Sequence, residues 1–531
     1  MIDRKPFTSL DIVKEIWKHL DLPPSALASL SLPEVTEKPV IPSSFKIGHL
    51  AQSTIALSAL AAATVASSTH GSEVPHTTVP LRHAVLEFQS ERLYTLAGNP
   101  PVETWGPIGG LHPTADGYVR IHDNFPHHRR GALALLGLPE TCVDRAAVSQ
   151  RTREWKSVEL ETVAVEQKGL AIYALRSFAE WDALPQARDV PEVPVNIRRL
   201  DAQTLMSSDS HPNPNPNPNP TLNINPAPSH IKRRPGGHGP KCLSSLRVLE
   251  FSRVIAAPAA GKTLAAHGAD VLWVTSPHLP DLPGLDREFA RGKKSVRLDL
   301  NDAHDKARAL TLAQEADVVL QGYRPGSLAA RGLGAEELGR VNPGVIVADL
   351  SAFGKRGEWC GRRGFDSLVQ TASGMNVAEA EHYGMGTGEG EGEGEGNAAV
   401  ARALPCQALD HGAGYLLAAG VCAAVYHREK DAREGRRVGA YVVDVSLAGV
   451  MWYLRSLGQY EGRSGFEGED YTILGADEVK SEEERGFFET RETPFGEMTF
   501  LRHSASIDGF EPGWERMPTP LGACEAVWDG S

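Results

Sequence analysis

Residues 246–275, LRVLEFSRVIAAPAAGKTLAAHGADVLWVT, carry the pattern that sets the fold of the C-terminal half. Leu246–Phe251 is a nearly continuous apolar run of strand length, as a sheet buried on both faces requires. Small residues then lead into a helix over Pro258–His267, which Gly268 closes, and Asp270–Val274 forms a second strand. Strand, helix and strand at this spacing make a βαβ unit with parallel strands and a right-handed crossover.

The same rhythm continues downstream. It predicts strands over Ser295–Leu300, Ala316–Gly322 and Val345–Leu350, with helices over Asp302–Glu315 and Gly334–Val341. The fold class is therefore α/β, a doubly wound, Rossmann-like parallel sheet whose ligands bind beyond the carboxyl ends of the strands.

Upstream the pattern changes. The sequence predicts helices over Ser9–Leu20 (capped by Ser9), Phe45–Ala66, Arg129–Leu136, Val158–Lys168 and Ala171–Leu184. Asp116-Gly117 signals a hairpin whose second strand is Tyr118–His122, so this region reads as a smaller α+β domain. Between the halves lies HPNPNPNPNP (residues 211–220), a run in which proline removes backbone donors and fixes φ. The expected organisation is a helical arm (1–40), the α+β segment (41–205), a Pro-rich linker (206–241), the large domain (242–465) and a closing segment (466–531). GTGEGEGEGEG at Gly386–Gly396 reads as a surface insertion; its glycine spacing and glutamates do not suit a phosphate loop.

Among the 531 residues, 67 acidic against 54 basic side chains give a net charge of −13, which argues against nucleic acid or anionic membrane as a partner. Six dispersed cysteines without C-x-x-C or zinc spacing read as reduced, mostly buried thiols, with no metal site. No apolar run reads as a membrane span and the N-terminus lacks a secretory pattern, so an intracellular, cytoplasmic protein is expected.

Several loops could carry chemistry. Ser252–Pro258 joins the first strand to its helix through small residues that let a ligand approach the backbone. Arg291-Gly292-Lys293-Lys294 and Tyr323-Arg324-Pro325-Gly326, followed by Arg331, are basic clusters that composition alone assigns to the surface. Gly261-Lys262-Thr263 lacks the upstream glycine of a P-loop. Asp366 opens a helix after Gly364-Phe365, and alone it reads as a helix cap. His127-His128 reads as surface.

The ordered set says more than any member. Leu-x-Val-Leu-Glu-Phe, Gly-Ala-Asp-Val, Arg-Gly-Lys-Lys-Ser-Val, Arg-Pro-Gly with Arg-Gly-Leu-Gly, and Arg-Arg-Gly-Phe-Asp follow one another in a series that resembles the family III CoA-transferases of the CaiB/BaiF type. The likeness continues through Asp410-His411-Gly412-Ala413-Gly414 and Val443-Asp444-Val445-Ser446. It implies a CoA-transferase of acyl-CoA metabolism that moves CoA from an acyl-CoA thioester to a carboxylic acid. Asp366 would attack the thioester, form a mixed anhydride and then an aspartyl-CoA thioester. By the same resemblance Val254 and Ala256 line the CoA pocket, while Lys293, Arg324 and Arg331 meet its phosphates and adenine end. Coenzyme A would be substrate rather than resident cofactor, and the protein an interlocked homodimer.

Departures from the family pattern are Ile255, where a polar residue is usual, and Ser351, where some members have lysine. The small-domain look-alike, GPIGGLHPTADGYVRIHDNF, stands before the large domain instead of after it. Pro42–Val65 echoes Pro405–Val425, with Leu50 in the place of Asp410, as in a decayed first copy. Gly106–Gly110 would then be the loop that closes over the site. Two other readings stay open. Racemases of the superfamily carry Gly-His-Asp where this chain has Gly364-Phe365-Asp366, and phenylalanine cannot transfer a proton. A non-catalytic CoA-binding or scaffold protein is the other.

Overall fold

The computed structural model describes residues 2–34, 38–200, 241–384, 400–468 and 485–529. The Pro-rich linker up to residue 240 and the Gly-Glu repeat at Gly386–Gly396 lie outside the described residues.

The central sheet has seven strands: β1 (Val195–Arg199), β2 (Arg247–Phe251), β3 (Asp270–Thr275), β4 (Lys293–Arg297), β5 (Val318–Gln321), β6 (Ile346–Ser351) and β7 (Tyr441–Ser446). Their spatial order is β4-β3-β2-β5-β6-β7-β1. From β4 to β7 the strands run parallel, and β1 pairs antiparallel with β7, Ile197 opposite Val443. This is the doubly wound order, with its switch point between β2 and β5. β4 begins two residues before the predicted Ser295, because Lys293 and Lys294 find carboxylate partners that let the ladder extend over them.

Helices α1 (Ile47–His70), α2 (Ala256–Ala266) and α4 (Ala408–Arg433) pack as a layer, α4 in the middle. α4 and α2 approach so closely that a Cβ on Gly414 would lie 2.7 Å from the Ala256 carbonyl oxygen. Only glycine leaves that space, which explains its place in the Asp-His-Gly-Ala-Gly run. Contrary to expectation, α1 and α4 are long and apolar enough to cross a membrane, yet the apolar window of each is wholly buried inside the protein. Each buried Leu or Val in such a layer stabilises the fold by roughly 1.5–3 kcal/mol.

The smaller unit is a three-stranded antiparallel sheet (Gly110–Pro113, Tyr118–Ile121 and Ile172–Ala174) with helices at Pro126–Leu135, Arg145–Thr152 and Ser157–Thr162. Its core is Ile108, Val119, Leu133, Leu160 and their neighbours. The helix expected over Ala171–Leu184 is instead a strand followed by a short helix, Phe178–Asp182. Ala171–Ala174 is buried throughout and completes the hairpin's sheet, while Ser177 and Glu180 form a capping box that starts the helix only afterwards. The cap of the first helix is Thr8, one residue before the expected Ser9.

The two sides of the linker are joined in one sheet and one core, since β1 and α1 come from the N-terminal side. A buried ion pair at 2.7 Å, Arg176 with Glu161, also reaches Arg362 across the linker at 3.1 Å. The closing segment forms a hairpin, Phe488–Thr493 with Gly496–Leu501, and then runs to β4, where Cys524 N–H donates to the Ser295 carbonyl at 3.0 Å. All six cysteines are free, and only Cys406 and Cys422 are fully buried, fewer than expected.

Candidate active site

A cleft of about 370 Å³ opens at the carboxyl ends of β2 and β5, at the switch point. Arg253 to Ala257 form the floor after β2, Tyr323, Arg324 and Arg331 the wall after β5, and Ser351, Gly364 and Phe365 the far end. Phe125, His127 and His128 cover it from the N-terminal side of the linker. Four of the residues expected to meet CoA, Val254, Ala256, Arg324 and Arg331, thus line a single cavity, as do Ile255 and Ser351.

Val254 holds φ at +71°, a left-handed conformation that a β-branched residue adopts only under constraint. The turn it makes directs the chain from β2 into α2. Arg331 donates to the Ser327 carbonyl at 3.0 Å and to Asn301 Oδ1 at 3.1 Å, which holds its guanidinium on the wall. Arg324 is exposed at the rim.

Lys293 corrects the sequence reading. It is not among the residues that line the cleft; its ammonium, wholly buried, pairs with Glu250 at 2.9 Å and donates to the Pro258 carbonyl at 2.8 Å. Burial pushes the Lys293 ammonium down to about 8 and Glu250 up. Lys293 begins β4, at the sheet end opposite the cleft. Its neighbours are committed likewise: Arg291 to Glu288, and Lys294 to Asp270 and Asp529. Lys262 of the discarded P-loop is sealed against Glu288 at 2.7 Å.

The surface reading holds for His127, which is exposed, but is corrected for its neighbour His128. His128 is 4% exposed, and its ring lies 6.0 Å from that of Phe365. Burial, with His127 and Arg363 close by, pushes its imidazole down to about 3. His122 stacks on Phe365 at 3.9 Å, and Arg253 lies 4.4 Å over Phe125. Gly106–Gly110 does not line the cleft: Gly106 N–H and Ile108 N–H donate to the Asp123 carboxylate at 3.2 and 2.8 Å, which pins the loop.

Asp366 is the first residue of α3 (Asp366–Ser373), and Phe365 is the cap. Its carboxylate caps a different helix. Oδ2 accepts from the N–H of Leu409 at 2.8 Å and of Asp410 at 3.0 Å, the first turn of α4. Oδ1 accepts from Gln370 Nε2, one turn along α3. Gln370 is itself fixed, its Oε1 accepting from Asn376 at 2.9 Å and Leu404 N–H at 3.1 Å. Burial pushes the Asp366 carboxyl up to about 6, against the pull of these donors and of nearby His411. Asp410 is raised well above its usual range by burial and by the charges of Asp366 and Glu91. The cleft reaches Gly364, Phe365 and Asp410 on either side of Asp366, whose carboxylate lies just behind that wall.

Residues 243–491 match the profile of CoA-transferase family III. The matched region is similar to a "probable fatty acyl-CoA transferase" of Mycobacterium tuberculosis, 36% identical over 227 residues that cover 40% of this chain and 54% of the relative. It is similar as well to an acyl-CoA transferase of Gibberella moniliformis, 31% identical over 290 residues, 52% of this chain and 46% of the relative. The chain thus spans about half the length of these curated relatives. A CaiB/BaiF family protein from Brucella suis, a solved structure, is 26% identical over 40% of this chain and 55% of its own, with a TM-score of 0.32.

Sequence reasoning did not single out Arg253, Tyr323, His128 or Gln370 as site residues. Gln370 carried one legible signal, its i+4 spacing from Asp366 on a helix.

Proposed function

We propose that the chain is a CoA-transferase that moves CoA from an acyl-CoA thioester to a carboxylic acid through covalent intermediates on Asp366. The observation that carries this reading is a buried carboxylate whose two oxygens are both held by donors, set just behind the end wall of a cleft rimmed by arginines at a sheet switch point. An acidic protein that gathers Arg253, Arg324, Arg331 and Arg363 around one cavity is built to take an anionic ligand there. In this reading Arg324 and Arg331 hold the CoA phosphates, and the small side chains of Val254 and Ala256 admit its pantetheine arm.

A carboxylate suits the exchange because anhydride and thioester are both activated acyl groups, so neither step is strongly uphill. The wall formed by Phe365 and His128 would keep water from the anhydride. An interlocked homodimer belongs to the same proposal; light scattering at the mass of one 57.2 kDa chain would contradict it.

The test is covalent trapping. After incubation with acyl-CoA and treatment with hydroxylamine or borohydride, the peptide bearing Asp366 should carry a modification, and Asp366→Ala should abolish it. Deuterium uptake at Cα of the thioester without trapping would mean a racemase, and neither outcome would leave a CoA-binding protein.

A further inference from the structure

The two oxygens of Asp366 are held in different ways. Oδ2 accepts from two backbone N–H groups, Leu409 at 2.8 Å and Asp410 at 3.0 Å, which cannot leave without unwinding the first turn of α4. Oδ1 accepts from the side chain of Gln370, which a rotation about its own bonds could release. The amide distances fall in the range of about 2.7–3.1 Å that oxyanion holes use, and the positive end of a 26-residue helix adds to them.

We propose that the N–H groups of Leu409 and Asp410 are the oxyanion hole for attack on the Asp366 carboxyl carbon, so that Oδ2 stays with the protein while Oδ1 is exchanged at every turnover. The inference rests on the transferase reading. In the first step Oδ1 attacks the thioester carbonyl and the C–S bond breaks, giving the anhydride and CoA thiolate. The thiolate then attacks Cγ of Asp366, negative charge gathers on Oδ2 between the two amides, and the donor acid departs with Oδ1. The acceptor carboxylate attacks the same Cγ, charge gathers again on Oδ2, and the thiolate leaves. When the thiolate takes the acceptor's acyl group, Asp366 is left with one acceptor oxygen at the Oδ1 position. No proton is required at Oδ2 at any step. Gln370, anchored by Leu404 N–H and Asn376, acts as a positioning residue that stops the carboxylate from turning over between cycles.

The experiment is oxygen labelling. The full chain is run for many turnovers with succinyl-CoA and succinate carrying heavy oxygen in both positions of each carboxylate, then digested for mass spectrometry. The Asp366 peptide should hold one heavy oxygen however long the reaction runs. Two heavy oxygens in the unaltered protein would overturn the assignment and leave the transferase reading standing. No label, together with no trapped adduct from succinyl-CoA, would remove the transferase reading and this inference with it. Gln370→Ala should admit the second heavy oxygen, a change that a purely structural loss would not produce. If that variant does not fold, the labelling of the unaltered protein decides alone.

Discussion

Two basic clusters, residues 291–294 and residues 324–331, resemble each other along the chain, and the fold puts them to opposite uses. Lys293 and Lys294 start β4, and their ammonium groups are taken up by carboxylates, Lys293 by the buried Glu250 and Lys294 by the half-buried Asp270 and the exposed Asp529. Arg324 and Arg331 follow the carboxyl end of β5 and line the cleft. Charge by itself did not separate them. Their partners do: the lysines are taken up by carboxylates, while the arginines follow the carboxyl end of β5, where the crossovers leave a crevice open.

The contrast can be broken most severely at Lys293. Lys293→Met leaves Glu250 buried and unpaired, and should cost about 3–5 kcal/mol of stability in denaturant unfolding. Replacing Glu250 by leucine in the same chain should restore much of that loss. If Lys293→Met kept full stability and lost CoA affinity instead, the two clusters would have to exchange roles. Arg331→Ala and Arg324→Ala should do the reverse, with stability unchanged within about 0.5 kcal/mol. Calorimetric titration with CoA should show each loss weakening binding by roughly 10–100-fold, the equivalent of a charge-assisted hydrogen bond. The smallest effect concerns pH. In the proposed mechanism Asp366 reacts as its anion, and its carboxyl is raised to about 6, so protonation should remove activity as pH falls through that value. Transfer rates at saturating thioester should rise through about pH 6 and then level; a rate that does not change across that interval would contradict the assignment.

Strands β2, β3, β5 and β6 were legible because each is a short, mostly apolar run bounded by a helix signal, a local pattern that needs no knowledge of partners. β1 was not legible: Val195–Arg199 becomes a strand only through pairing with β7 across the linker, a non-local fact. Ala171–Ala174 was misread for a related reason, since an apolar tetrad followed by a capping box fits helix or strand until its partner is known. At the site, Val254, Ala256, Arg324 and Arg331 were named by resemblance, and all four line one cleft because they follow carboxyl strand ends. Lys293 was misplaced because a motif gives order and spacing but no direction for a side chain. Asp366 was legible as a position, whereas the helix it caps begins about forty residues later and could not be read from its neighbours.

In the proposed transferase, acyl-CoA lies across the switch point with its thioester at Asp366. A crystal structure of the full chain with bound CoA tests it most directly. The diphosphate is expected within about 3 Å of Arg324 or Arg331 and the thiol at the Phe365 end of the cleft. CoA bound elsewhere, or its phosphates on Lys293 after a rearranged β4, would contradict it.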